Sequence, residues 1–221
     1  MCGRYALSST PAQINARFAV RVYPDWKPSY NVAPGTQVMI VHAQAAAGTR
    51  VAEPAHWGFT PSWLKPDGRG PRPINARCES VADKPMFRNA FAQRRCILPA
   101  DGFYEWKRLD HRKQPWLIRM RDGGVFGFAG IYEPGNKITA NRPSCAILTT
   151  GANELMDPIH SRMPVILTPD DYERWLDTTE QHAAVLEKFL HPYEGQDLIA
   201  YPVSERVNNT RNNDEALTHP A

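Results

Sequence analysis

Apolar residues in this chain come in short runs separated by polar residues, glycines and prolines. Most runs have the length of a strand rather than a helix, and many are rich in β-branched residues. Gly, Pro or Asn commonly bounds them, as is typical of strands. The pattern predicts strands over residues 37–41, 96–99, 102–107, 116–120, 125–131, 144–149 and 165–167.

The 3.6-residue period of amphipathic helices occurs in fewer places. It predicts helices over residues 10–18, 87–95, 169–176 and 179–190. Ser9 or Thr10 can cap the first, and Pro169 followed by two acidic residues is typical of a helix start. These elements predict an α+β fold, a single domain with a mixed, mostly antiparallel β-sheet core and short peripheral helices.

Composition supports many short elements joined by rigid turns, since 20 of the 221 residues are proline. The length suits one domain, which we place at residues 1–217, with residues 218–221 as a disordered tail. No apolar run approaches the ~18 residues of a membrane span, and no basic segment followed by an apolar stretch opens the chain. We therefore expect a cytoplasmic monomer that does not bind membranes.

The four cysteines (Cys2, Cys78, Cys96 and Cys145) are widely spaced. No C-x-x-C and no paired histidine spacing accompanies them, so the sequence predicts neither a metal site nor a disulfide framework, and no motif calls for a cofactor. We expect Cys78, Cys96 and Cys145 to be small core residues.

Charge is distributed unevenly around a net charge of +3. Residues 69–95 carry seven Lys or Arg against two acids, whereas residues 169–197 carry eight acids against two bases. This asymmetry predicts one basic and one acidic face, although charged runs also occur on ordinary solvated surfaces. The basic face favours a polyanionic partner.

Cys2 follows the initiator methionine directly, so removal of Met1 would make it the N-terminal residue. It would then carry an α-amine with a pKa near 8 beside a thiol with a pKa near ~8.5. Such a 1,2-aminothiol condenses with an aldehyde to an imine, which the thiol closes to a thiazolidine. It can also act as an N-terminal nucleophile whose own amine is the base. Alternatively, Cys2 is a small residue at a frayed terminus.

Two further polar positions lie in strand-like surroundings. Asn75 and Arg77 alternate with the strand period, so both side chains would leave the same face, although Asn75 also fits a turn or cap amide. Glu105 is flanked by large aromatic residues, and desolvation there would raise its pKa and suit it to proton transfer near neutral pH. Alternation also permits Phe103 to face inward beside Glu105, or Glu105 to face water.

His160 and Arg162 lie in a loop that precedes an apolar strand. Histidine is the side chain most easily poised for acid or base catalysis at neutral pH, and a guanidinium can hold a phosphate through two hydrogen bonds. A lone loop histidine can equally be a surface residue. The sequence contains no Gly-rich phosphate loop, G-x-S-x-G or H-E-x-x-H motif.

These pieces occur together with several other short motifs. They are, in order, M-C-G-R (1–4), N-V-A-P-G-T (31–36), W-G (57–58), I-N-A-R-x-E (74–79), D-G-F-Y-E-W (101–106), H-x-R-M-P (160–164) and P-V-S (202–204). With this set, anchored by Cys2, the chain resembles the SOS-response-associated peptidase (SRAP) family over nearly its whole length.

The resemblance implies a sensor of abasic sites in single-stranded DNA that crosslinks covalently to the ring-opened sugar through its N-terminal cysteine. By motif match the catalytic residues are Cys2, Asn75, Glu105 and His160. Phosphates flanking the lesion would be bound by Arg4, Arg77 and Arg162. Bases would be stacked on or wedged apart by Trp63, Met86 and Phe87. After damage the protein would associate with the nucleoid.

One departure from the family pattern follows Trp63. Family members carry adjacent tryptophans and a short Pro-containing link, whereas here Trp63-Leu64 precedes a longer insertion at residues 65–73. The insertion therefore leaves undecided how these side chains would wedge bases apart, and whether the protein prefers DNA junctions to plain single strands. Two other functions also remain, an N-terminal-nucleophile cysteine peptidase or amidase, and a non-covalent single-stranded-DNA-binding module.

Overall fold

The structure is a computed structural model that describes residues 2–44, 49–64 and 70–221. In this part of the chain, the strands form a five-stranded sheet and an eight-stranded sheet, with short helices at their edges. The predicted α+β fold class is confirmed. No helix within these residues is long and apolar enough to cross a membrane.

The strands are two to eight residues long. In chain order they are β1 (Tyr5–Leu7), β2 (Ser29–Val32), β3 (Gln37–Ala43), β4 (Arg50–Trp57), β5 (Asn75–Arg77), β6 (Arg95–Ala100), β7 (Gly102–Arg108), β8 (Lys113–Met120), β9 (Phe126–Glu133), β10 (Ser144–Gly151), β11 (Arg162–Pro164), β12 (Ile166–Leu167) and β13 (Leu198–Pro202). The helices are α1 (Pro11–Phe18), α2 (Cys78–Val81), α3 (Arg88–Gln93), α4 (Tyr172–Leu176) and α5 (Ala183–Leu186).

Every strand expected from the apolar pattern is present, and the structure adds further strands, among them β4, which contains Pro54. Proline removes one N–H donor and is tolerated where a strand lies at a sheet edge. The described pairing of β10 with β4 involves only His56 and Trp57, so one side of β4 is an edge at Pro54. Tertiary pairing thus allows a strand that local sequence rules disfavour.

The smaller sheet has the order β13-β8-β7-β1-β2, and each neighbouring pair is antiparallel. The larger sheet has the order β11-β10-β4-β3-β6-β9-β12, with β5 pairing in parallel with β10. β9 also pairs with β10, so β10, β4, β3, β6 and β9 form a closed circuit. Because β5 and β11 both pair with β10, residues 75–77 and 162–164 lie close to each other.

The main core lies between the sheets and contains the largest buried side chains, including Trp57, Phe59 and Phe128. A second, smaller cluster covers the other face of the five-stranded sheet and includes Tyr104 and Leu217. The five-stranded sheet is therefore buried on both faces where it carries β1 and β7. Packing on both faces fixes the position of β1, and with it the position of Cys2 just before this strand.

Three helices are shorter than the apolar period predicts, and in one of them, α4, residues Pro169–Asp171 form a 3-10 turn before the α-helix. α3 ends at Gln93. The guanidinium of Arg95 caps its C-terminus by donating a hydrogen bond to Phe91 O at 3.0 Å. The predicted helix at 179–190 begins only at Ala183, because Thr179 and His182 donate their backbone N–H groups to the side chains of Asp177 and Glu180. Such local side-chain bonds compete with helical ones.

The last four residues, for which the sequence predicts disorder, are paired with the sheet in the structure. Val203 forms a β-bridge with Pro220, and the N–H of Ala221 donates to Pro202 O at 2.9 Å. Thr218 O accepts a hydrogen bond from the Tyr201 hydroxyl at 2.8 Å. A terminal segment is ordered when partners satisfy its backbone groups, and here β13 provides them.

Candidate functional site

Cys2 is completely buried in the main core, three residues before Tyr5, where β1 begins. The strand is held beside β7, since Tyr5 lies opposite Phe103 and the N–H of Tyr104 donates to Arg4 O at 2.9 Å. Burial raises the pKa of the Cys2 thiol well above its usual range, and the negative charge of Glu105 acts in the same direction. The thiol is therefore neutral at physiological pH. Met1 lies outside the described residues.

Asn75 reaches Cys2 from the other sheet. It opens β5 opposite Ile147 of β10, and its Nδ2 donates to the backbone oxygen of Cys2 at 2.8 Å. Its Oδ1 is buried and has no hydrogen-bond partner among the described residues. The amide therefore holds the backbone of Cys2 while keeping an acceptor atom available beside it.

Glu105 is buried in the middle of β7, with only 3% of its surface exposed. Burial raises the pKa of its carboxyl group, while the nearby His160 counteracts part of this increase. Its sequence neighbours Tyr104 and Trp106 pack in the smaller cluster on the opposite face of the sheet, whereas Phe103 lies in the main core. The main core, rather than the flanking aromatic residues, therefore desolvates Glu105.

His160 ends an ordered turn, in which its own N–H donates to Met156 O at 2.9 Å. Its Nδ1 lies 2.9 Å from the backbone nitrogen of Arg162, which can only donate. Nδ1 also lies 3.1 Å from the backbone oxygen of Arg162, so contacts with both backbone polar atoms of Arg162 fix the orientation of the ring. His160 is close enough to Glu105 to oppose the rise in the pKa of its carboxyl group, so the two residues belong to one cluster.

Arg162 is held by two partners close to this cluster. Its guanidinium forms a two-pronged ion pair with Glu79, in which Nη1 contacts Oε1 and Nη2 lies 3.0 Å from Oε2. Nη2 also donates to the backbone oxygen of Thr149 at 2.6 Å. The ion pair lowers the pKa of Glu79 to about 2. The edge of Arg162 that suits a phosphate is thus occupied by a carboxylate.

Arg77 and Arg4 differ sharply in their surroundings. Arg77 lies opposite Thr149 and is exposed, with no side-chain hydrogen bond or ion pair to any other described residue. Arg4 instead donates to Asn31 Oδ1 and Val207 O, both at 2.8 Å, and its guanidinium lies 5.9 Å from the Trp106 ring centre. The structure brings Arg77 to the Cys2 cluster and directs Arg4 towards the opposite face of the sheet.

An apolar groove of about 590 Å³ runs up to Asn75 and Arg77. Trp63, Met86 and Phe87, the residues expected to contact bases, all line it. Trp63 is 61% exposed, whereas Phe87 is 5% exposed and packs edge-on against Phe59. Trp63 and Met86 therefore offer the accessible surface. Residues 65–69 of the insertion lie outside the described residues.

Four segments distant in sequence thus converge on Cys2, Asn75, Glu105 and His160. Sequence reasoning missed Thr149, whose backbone oxygen orients Arg162 and whose place on β10 aligns it with Arg77. It also assigned no role to Asp101, whose carboxylate accepts the backbone N–H of Ser9 at 2.9 Å and the hydroxyl of Ser8 at 2.9 Å. Asp101 lies in the D-G-F-Y-E-W motif, which was the available signal. Within the described residues, no cluster of His, Cys, Asp or Glu could hold a metal ion.

Comparison of the whole chain with known proteins identifies its relatives. A sequence profile described as SOS response associated peptidase (SRAP) matches residues 1–210. Abasic site processing protein YoqW of Bacillus subtilis is 40% identical over 98% of both chains. Abasic site processing protein YedK of Escherichia coli is 30% identical over 100% of both chains. HMCES of Xenopus tropicalis, also named an abasic site processing protein, is 30% identical over 96% of this chain and 76% of its own.

Solved structures agree with the sequence comparisons. A crystal structure of a Bacteroides thetaiotaomicron protein superposes with a TM-score of 0.88 at 25% identity and covers 100% of both chains. A crystal structure of a Bordetella bronchiseptica protein gives a TM-score of 0.79 at 26% identity, over 92% of this chain and 100% of its own. On the profile match and the relatives together, this chain belongs to the SOS response associated peptidase (SRAP) family.

Proposed function

We propose that this protein processes abasic sites in single-stranded DNA by forming a covalent crosslink through Cys2 once Met1 has been removed. The crosslink is a thiazolidine between the cysteine and the ring-opened sugar, and it shields the lesion from strand cleavage. The names of the Bacillus subtilis, Escherichia coli and Xenopus tropicalis relatives, all abasic site processing proteins, support this class of substrate.

The observation that carries the proposal is the contact between Asn75 and Cys2 beside a buried Glu105. Asn75 Nδ2 holds the Cys2 carbonyl at 2.8 Å, and its buried Oδ1 is an acceptor suited to the N–H of a free α-amine. Orientation of this kind lowers the entropic cost of bringing the amine to an aldehyde. Asn75 is therefore the residue that positions the nucleophile.

The reaction requires one proton donor and one acceptor. The unprotonated amine of Cys2 adds to the aldehyde carbon C1′ of the open sugar, giving a carbinolamine. Protonation of its hydroxyl by the carboxyl group of Glu105 expels water and leaves an iminium ion, whose N–H proton returns to the Glu105 carboxylate to give the imine. The sulfur then adds to the imine carbon while the thiol proton passes to the nitrogen, which closes the ring. His160 assists opening of the sugar ring by proton transfer.

The state of the thiol favours this route over peptidase chemistry. A cysteine peptidase attacks with a thiolate, whereas burial in the main core keeps the proton on the Cys2 thiol. In the crosslinking route the amine attacks first and the thiol adds last, so an unionised thiol is acceptable. The same environment that hinders a thiolate nucleophile is compatible with thiazolidine formation.

The surface around the site suits a single strand. Arg77 is exposed and provides a charge for a phosphate, while Trp63 and Met86 present apolar surface in the adjoining groove. Aromatic side chains stack on bases of any sequence, and basic residues follow the backbone. Together they are expected to bind the strand on either side of the lesion.

The proposal predicts that Cys2→Ala abolishes a heat-stable adduct with a single-stranded oligonucleotide carrying one abasic site. Cys2→Ser, which forms only an imine or a less stable oxazolidine, should leave a weak and reversible adduct. Denaturing electrophoresis measures the yield, and mass spectrometry of the wild-type adduct should show that Met1 is absent. An oligonucleotide with a tetrahydrofuran residue, which has no aldehyde, is the matched control and should give no adduct.

Several outcomes would contradict this proposal. A full-yield adduct in Cys2→Ala, or an adduct that retains Met1, would remove Cys2 from its proposed role. Cleavage of peptides without reaction with abasic DNA would favour the peptidase, and binding of undamaged DNA with no adduct would favour a non-covalent binding module.

A further inference from the structure

The ion pair between Glu79 and Arg162 lies beside the surface that we propose for DNA. Its two partners differ in how firmly they are held. The Arg162 side chain is 17% exposed and is fixed by the backbone oxygen of Thr149 at 2.6 Å and its hydroxyl at 3.2 Å. The Glu79 side chain is 54% exposed. If the pair opens, Glu79 is therefore the partner that moves, because its carboxylate can be hydrated without rearranging the core.

A phosphodiester presents the same geometry as the carboxylate that now occupies Arg162. Two non-bridging oxygens of a phosphate match the two parallel N–H groups of a guanidinium, as the two oxygens of a carboxylate do. Nη1 and Nη2 of Arg162 both point to Glu79, and Nη2 is also used by Thr149. A phosphate can bind this edge with two hydrogen bonds only by displacing Glu79.

We infer that Glu79 occupies the edge of the Arg162 guanidinium that would bind a phosphate, and so weakens binding to undamaged single strands. Glu79 thereby acts as a specificity-determining residue for abasic-site capture. This inference rests on the proposed function, in which Arg162 binds a phosphate. Undamaged DNA must displace Glu79 without compensation and leaves readily. At an abasic site the covalent bond to Cys2 retains the strand, so the same loss of affinity is tolerated.

Competition between Glu79 and a phosphate for Arg162 does not depend on pH near neutrality. The pKa of Glu79 is held at about 2 by Arg162, so the carboxylate remains charged near neutral pH. Arg77, which lies opposite Thr149, and Lys84, which lines the adjoining groove, are further charged groups on this face. A phosphate that reaches Arg162 is therefore also attracted by Arg77, whereas Glu79 repels it.

The test is the affinity of Cys2→Ala protein for an undamaged single-stranded oligonucleotide, measured by fluorescence anisotropy over a series of salt concentrations. Glu79→Gln in this background should tighten binding by about three- to fivefold, the size expected when one exposed ion pair is removed from competition. The dependence on salt should also steepen, because no freed carboxylate then takes up a cation. Adding Arg162→Ala should abolish the gain.

Glu205→Gln is the matched control. Glu205 forms an exposed ion pair with Arg112 at 3.5 Å and is 56% exposed, so its replacement removes the same charge from a similar pair elsewhere. Equal gains from Glu79→Gln and Glu205→Gln would reduce the effect to net charge and overturn the inference. Weaker binding by Glu79→Gln would overturn it as well, because Glu79 would then orient Arg162 for DNA. A gain that survives Arg162→Ala would have the same consequence.

The two proposals fail in different ways. Lack of an adduct between wild-type protein and abasic DNA, with normal binding of undamaged strands, would refute the crosslinking function and leave the competition measurable. Normal adduct formation with unchanged affinity in Glu79→Gln would refute only the role of Glu79. Failure of every variant to bind undamaged strands would also overturn the inference about Glu79.

Discussion

Individual residues in this site derive their chemistry from the face of the strand on which they lie. Tyr104 and Glu105 are adjacent in β7, yet Tyr104 packs in the smaller cluster, and Glu105 lies on the face of the main core. Burial there raises the pKa of the Glu105 carboxyl group. A carboxyl group that keeps its proton closer to neutral pH can donate it in one step and recover it in the next.

Glu105→Gln keeps the size and hydrogen bonding of this residue but removes its titration. Crosslink reversal, which needs an acid to protonate the sulfur as the C–S bond of the thiazolidine breaks, should slow by about 10²-fold. In the wild-type protein, reversal should slow as pH rises through the raised pKa, because the carboxyl group then loses the proton that it donates. Transfer of the adduct to a competing abasic oligonucleotide, followed between pH ~5 and 9, measures this rate.

The contrasting variant is His160→Ala, which should mainly slow adduct formation because the group that helps to open the sugar ring is lost. Wild-type reversal rates in Glu105→Gln, with an unchanged pH profile, would show that this carboxyl group takes no part. Proton transfer would then have to involve His160 or water.

Among the secondary-structure elements, the junction between α3 and β6 depends on one buried cation. Arg95 is 1% exposed, although the sequence places it in the basic stretch that predicts a charged face. Its guanidinium donates to the backbone oxygens of Trp175 and Phe91, and to that of Glu180 at 3.0 Å. One side chain thus caps α3 and ties the segment after α4 to the sheet.

Arg95→Ala should lower the free energy of unfolding by about 3 kcal/mol or more, because several buried carbonyl groups lose a charged donor at once. Urea denaturation followed by tryptophan fluorescence measures this change. Arg88→Ala, at an exposed position on the same helix, is the matched control and should change stability by less than about 0.5 kcal/mol. Equal effects of the two substitutions would mean that Arg95 is not a structural anchor.

For the whole molecule, closure of the large sheet determines whether the site can assemble. β9 meets both β6 and β10 around Gly130, where an added Cβ would lie 2.3 Å from Leu98 Cδ1 and 3.2 Å from Ala146 O. β10 in turn supports β5 and β11, which carry Asn75 and Arg162. A pairing between strands that carry none of the four candidate catalytic residues thus contributes to the geometry around Cys2.

Gly130→Ala should destabilise the protein by about 1–3 kcal/mol through overpacking at this closure. Gly151→Ala is the matched control in the same sheet, since no atom lies within 4 Å of its added Cβ. Thermal unfolding followed by circular dichroism should show a lower midpoint for Gly130→Ala and no comparable loss for Gly151→Ala. Similar midpoints for both variants would show that the sheet adjusts at Gly130 without cost.

The sequence by itself determined the α+β class, the apolar strands and the family, because these depend on local periodicity and on short motifs that survive in one dimension. It also identified Cys2, Asn75, Glu105 and His160 as candidates. Only the tertiary structure decided which charges face outward. Arg95 and Arg4 look like surface cations in the sequence, yet one is buried and the other bonds to Asn31 and Val207. The ion pair of Glu79 with Arg162 joins residues 83 positions apart, a pairing that only the arrangement of β5 and β11 beside β10 could create.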